Sequence, residues 1–283
     1  MKFLKEKFFD KKNNIDYFLN GNNQLLELEK TDKISLDVKK DFVDQFINKL
    51  VENKIIAQST IDSVRENYPA NSWSIDFPGW VGNFDEGKGK KFIIIGAEPH
   101  IYFEYLQTVY FFNNGNSANT FIEKHHPIFR FLSEVLAHKF QITKEEVLND
   151  CYLTDLFPLS PFRGKGVSVG SVDKIQAVIG SESWINIRLA YAKINLLKEI
   201  DAVKPKLIIT QGKEVLKEVI NVLGITEKLS VIPVVPSSGK RQFIRKVEWN
   251  NISIISVPHI GSQRMRTFWK SNMEQIKKAV SEI

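Results

Sequence analysis

Four short apolar runs constrain this chain more than any other feature. They are Phe92–Ile95 (FIII), Cys151–Leu156 (CYLTDL), Lys206–Thr210 (KLIIT) and Ile252–Val257 (ISIISV). Each is rich in β-branched or aromatic residues on consecutive positions, the pattern of a strand covered on both faces. Helical patterns separate and follow them. Pro127–Phe140 repeats Phe131, Leu132, Val135 and Leu136 at helical spacing, and Ser183–Val203, Lys213–Val222 and Arg264 to Val280 also read as helices. Strand–helix alternation of this kind predicts an α/β fold: a central four-stranded, mainly parallel sheet with helices on both faces.

The polar residues fall at telling places. Glu98, Asp155, Gln211 and His259 each lie at or just past the end of one of the four runs. Parallel strands bring those ends to one edge of the sheet, where ligands bind in open α/β folds. The first such end reads Gly96, Ala97, Glu98, Pro99, His100. Glycine permits a sharp turn and close approach, and proline then fixes the chain. A carboxylate and an imidazole, Glu98 and His259, are thereby predicted to face each other across a cleft.

The remaining chain adds less. Asp37–Ile55 and Ser59–Asn67 read as helices, and Tyr68–Lys91 as a connecting loop rich in Gly and Pro. The expected division is therefore residues 1–90, an N-terminal helical extension with a connecting loop, and residues 91–283, the α/β domain. Val231–Val235 and Gln242–Val247 read as short edge strands. No apolar run reaches membrane-spanning length, and the basic N-terminus is too charged for a secretory signal, so a cytoplasmic protein is the default. The single cysteine, Cys151, excludes an internal disulfide and a four-cysteine metal or iron–sulfur site. Glu123, His125 and His126 lack the spacing of a metal site, so neither metal nor other cofactor is expected. A net charge of +6 permits an anionic partner without requiring one.

IIIGAEPH resembles the first motif of the uracil-DNA glycosylase superfamily, in which a strand is followed by glycine, a spacer, an acidic residue and proline. HPIFRFLSEVL, CYLTDLFPL, KPKLIITQGKEVL and VPHIGSQRMRTF are similar, in the same order, to the family's later segments. The resemblance covers roughly residues 90–280. It implies the family's fold and a DNA base-excising activity without metal. In that reading Glu98 stands for the water-activating aspartate, Pro99 matches directly, and His100 stands where a tyrosine excludes thymine. Phe111, 13 residues after Glu98, has the spacing of the aromatic that stacks on the extruded base. Asp155 stands for the base-reading asparagine and His259 for the closing histidine. Gly96 and Ala97 complete the base-binding turn. Ser262 loosely matches the motif's serine; in the family the loop after the histidine inserts a wedge, for which Gln263 or Met265 would serve, with Arg264 and Arg266 on phosphates. Ser237–Lys246, with Lys240, Arg241, Arg245 and Lys246, is the other basic stretch read as a nucleic-acid contact. The implied partner is DNA, with no membrane, and the expected state is a monomer.

Two departures carry chemistry. Glu98 reaches one methylene further than an aspartate. Asp155, when ionised, can only accept hydrogen bonds, whereas an asparagine also donates. The carboxylate fits an amino-bearing base of the cytosine type better than uracil. Bland readings stand beside these roles: Glu98 as an acceptor for helix amides, His259 as a core histidine, Phe111 as core, Asp155 as a cap, the basic patches as solvated surface. Two other functions also stay open: a non-catalytic member of the fold that binds nucleic acid or a nucleotide, and a nucleoside or nucleotide hydrolase acting on small molecules.

Overall fold

The computed structural model describes residues 44, 47–48, 50–67, 73–75, 79–80, 92–97, 127–157, 159–161, 184–234, 242–259 and 263–282. The strands are Trp73–Ile75 (β1), Gly79–Trp80 (β2), Phe92–Gly96 (β3), Cys151–Asp155 (β4), Leu159–Pro161 (β5), Leu207–Gln211 (β6), Ser230–Val234 (β7), Gln242–Trp249 (β8) and Ile252–Val257 (β9). The helices are Gln58–Asn67 (α1), Pro127–Phe140 (α2), Lys144–Asn149 (α3), Trp184–Val203 (α4), Lys213–Leu223 (α5), Gln263–Ser271 (α6) and Met273–Ser281 (α7).

The four apolar runs become β3, β4, β6 and β9, and they pair in parallel in the order β4-β3-β6-β9. Alternating side chains bury on opposite faces, as strand geometry requires. Phe92, Ile94, Leu153, Ile209, Ile255 and Val257 pack with Leu132, Val135, Leu136, Trp269 and Ile276 of α2, α6 and α7. Ile93, Ile95, Tyr152, Ile208 and Ile254 pack with Trp184, Ile187, Leu196, Val215 and Val219 of α4 and α5. Helices therefore cover both faces. Ile47, Leu50, Ile55, Ile56 and Ile61, all within the first ninety residues, share the second of these cores.

The expected four-stranded sheet is corrected to seven strands, because three antiparallel strands extend the parallel core. Gly79–Trp80 pairs with β4 on one side, so the segment read as a loop carries strand structure; two residues are too short to show any periodicity. On the other side β8 pairs with both β9 and β7. Only β7 is an edge. Leu159–Pro161 forms a separate two-stranded ribbon with β1. The single closing helix is in fact two, because the chain breaks at Asn272. The buried Asn272 amide donates to the Phe268 carbonyl at 2.8 Å, a local bond that competes with continuing the helix.

Helices α4 and α5 are joined by an ion pair hidden from water. Arg188 Nε donates to Glu218 Oε2 at 2.7 Å and its Nη2 contacts Oε1, with side-chain exposures of 5% and 13%. Removing one partner strands the other charge in the core, at about 3–5 kcal/mol. Arg188→Ala is expected to lower denaturant-unfolding stability by that amount, whereas Arg188→Met combined with Glu218→Leu recovers most of it.

Candidate functional site

The chain leaves β3 toward β4 on one side and later returns to place β6 on the other, so the strand order reverses between β3 and β6. Ligands of open α/β sheets sit beyond the carboxyl ends at such a reversal. The final rung there pairs Gly96 with Asp155, and Gln211 with Val257. A methyl group built onto Gly96 would collide with Asp155 Oδ1, with Cγ 3.2 Å and Gln211 Nε2 3.7 Å away. The carboxylate of β4 and the amide of β6 therefore converge over Gly96. Asp155 is half-buried there. The pairing continues one step further, with Leu156 and Phe157 donating to the carbonyls of Gly96 and Ala97 at 2.9 and 3.1 Å.

His259 reaches the same edge from β9. Gly212, at φ 95°, turns the chain from β6 into α5, and a methyl group there would meet His259 Cβ at 3.6 Å. That φ favours glycine. Two hydrogen bonds hold the segment leading to the histidine. Gly212 N–H donates to the Val257 carbonyl at 2.9 Å, and the buried Trp269 indole N–H donates to the Pro258 carbonyl at 3.0 Å. His259 itself is exposed, so the core-histidine alternative does not hold.

The structure thus gathers Gly96, Asp155, Gln211 and His259. Gln211 is the member that the sequence reading placed at the edge without giving it a role. Its amide supplies the donor that Asp155 lacks. Glu98, Pro99, His100, Phe111, Lys240, Arg241 and Ser262 lie outside the described residues, as do Glu123, His125 and His126. Gln263 and Arg264 belong to α6, with side chains outside the description, and Arg266 is exposed on that helix. Among the described residues no cluster of His, Cys, Asp and Glu could hold a metal ion, and no helix is long and apolar enough to cross a membrane. Burial raises the Cys151 thiol far above its usual range, with Asp150 adding to it, so this cysteine is not a nucleophile.

One step below the edge, on the α4 face, lies a buried polar layer. Thr154, Thr210 and Ser256 are almost fully covered, and so are Asn195 and Glu199 of α4. Burial pushes the Glu199 carboxyl up to about 8, partly offset by a hydrogen bond from Thr154. Glu199 is therefore uncharged at neutral pH, which is how a carboxyl group tolerates this core. The Tyr152 and Tyr191 hydroxyls that face it are also raised by burial, with Glu199 adding to both.

No protein-family model matches the chain, and no curated protein matches it. The chemistry of the site therefore rests on its geometry and on the motif resemblance.

Two outcomes follow from this geometry. In Gly96→Ala the new methyl meets a rotatable carboxylate, so the fold should survive at a cost of about 1–3 kcal/mol while Asp155 is turned out of the site. Thermal melting together with a crystal structure of the variant checks both parts. For Glu199, the folded carboxyl titrates near 8 and the ordinary one near 4.5. Its contribution is fully present below the ordinary value and is lost as pH rises toward the folded one. Stability of the wild type should fall through that interval, by several kcal/mol if no other group compensates, and Glu199→Gln should flatten the fall in urea titrations across pH.

Proposed function

We propose that this chain is a DNA base-excising hydrolase, one that cleaves the N-glycosidic bond of an extruded base and prefers a cytosine-type or modified base to plain uracil. The observation that carries the reading is the convergence of Asp155 and Gln211 over Gly96, with His259 on the adjoining turn. A cytosine edge presents an amino donor beside acceptors. A carboxylate that accepts and an amide that donates match that edge without a proton being added to either.

Breaking the glycosidic bond builds positive charge on the sugar and negative charge on the departing base. In this mechanism the Glu98 carboxylate stabilises the sugar cation and orients the attacking water. A neutral His259 donates to the base carbonyl as charge develops there. Gly96, having no side chain, lets the Asp155 carboxylate lie over it in position to read the base. Phe111 stacks on the flipped base, an arrangement other base-flipping enzymes use. Contacts to phosphate fall to Ser262, Gln263, Arg264 and Arg266, with Lys240 and Arg241 beyond them. The DNA is taken as single- or double-stranded, by a monomer.

Mass spectrometry of bases freed from DNA of varied modification tests the reading. The wild type should release an amino-bearing base and leave uracil in place. Glu98→Gln should lower release by at least about a hundredfold, the scale of a lost acid–base group, while oligonucleotide affinity is unchanged. Robust uracil release removes the base preference. Binding without release of any base leaves a nucleic-acid-binding protein of the same fold.

A further inference from the structure

The antiparallel strands β7 and β8 continue the sheet past the helices that cover its α4–α5 face. Val231 is 51% exposed and Phe243 38%, two of the three large hydrophobic side chains on the surface of the described residues. The third, Leu197 on α4, is elsewhere. The cross-strand register makes a patch of the first two. Val231 lies opposite Arg245, and Pro233 lies opposite Phe243. The Arg245 guanidinium sits 5.6 Å from the centre of the Phe243 ring, and its Nη1 donates to the Phe243 carbonyl at 3.4 Å. Among the described residues no carboxylate forms an ion pair with Arg245. Its neighbour Lys246 is different: it projects to the other face and pairs with Glu248 at 2.7 Å.

The patch also sits at a meaningful place. Arg245 pairs with Ser256, and Trp249 with Ile252. The ladder ends at Arg245 and Ser256, so Phe243, two residues earlier on the antiparallel β8, lies toward the carboxyl end of β9. The aromatic therefore stands at the same edge of the sheet as Gly96, Asp155, Gln211 and His259, on the opposite face from Val257.

We propose that Val231, Phe243 and Arg245 form a stacking platform for single-stranded nucleic acid entering or leaving that edge. A base lies on the ring or on the guanidinium plane, and Arg245 neutralises a phosphate. Aromatic and guanidinium planes accept any base, so such a platform is tolerant of sequence. Charge selects this occupant: a guanidinium with no carboxylate partner among the described residues, on a chain of net charge +6, favours a polyanion. A second copy of the chain is disfavoured, since Pro233 removes an amide from the edge strand and like charges would meet. This inference rests on the reading of the carboxyl edge as a base-binding site.

Fluorescence anisotropy with a labelled oligothymidine of about 12 nucleotides tests it, a length within the usual site size of single-strand binders. Phe243→Ala should weaken binding about 5- to 100-fold, the range of one lost stack. Arg245→Gln should weaken binding and reduce the slope of log affinity against log salt by about 0.7, one phosphate contact. Leu197→Ala should bind as the wild type does, and all three variants should melt within a few degrees of it. Unchanged affinity in Phe243→Ala overturns the proposal. So does a wild-type dimer in sedimentation that Phe243→Ala dissociates, since the patch is then a self-interface. Loss of binding in a protein that releases no base leaves the platform standing and removes only the hydrolase reading.

Discussion

A strand with helices above and below admits small neutral hydroxyls, but charged side chains only where the helices no longer reach it. The parallel core of this protein is covered on both faces, with the residues of Phe92–Ile95 almost wholly inaccessible to water. Unpaired polar groups within that core cost free energy, and charged ones cost more. Asp155, Gln211 and His259 accordingly collect at the carboxyl ends of β4, β6 and β9. Burial of the strands and assembly of the site are the same event. Glu199 lies inside the core beside Thr154, Thr210, Ser256 and Asn195, where burial favours its protonated form.

The parallel core was legible in the sequence because doubly covered strands leave an unmistakable mark. Consecutive apolar residues in Ile93–Ile95, Ile208–Ile209 and Ile254–Ile255 admit few other readings, and α2 and β9 have the bounds that their periodicity predicts. The flanking strands were harder. Gly79–Trp80 is shorter than any period. In β8, Ile244 and Val247 are buried while Phe243 and Glu248 face solvent, so the pattern is mixed and the strand reads as an edge when it is interior. The break between α6 and α7 turns on one asparagine, whose side-chain bond to the preceding turn does not interrupt the apolar spacing.

The candidate site was legible in part, for a related reason. Placing Asp155, Gln211 and His259 on one edge needed only strand ends and parallel pairing. Giving Gln211 a task needed the distance between its amide and Gly96, which no sequence pattern carries. The exposure of His259 was likewise a matter of packing: the same Pro-His pair after a core strand suits a buried histidine equally well. Phe243 was passed over because its neighbours Gln242 and Ile244 disguise it as an ordinary member of an alternating strand.

The bond from the Trp269 indole to the Pro258 carbonyl ties two otherwise remote properties together. Trp269 is wedged into the core under α2, its ring stacked on Phe131. Its nitrogen grips the backbone one residue before the imidazole. The backbone that presents the exposed imidazole is thereby moored to the core that the two carboxyl-terminal helices build against α2.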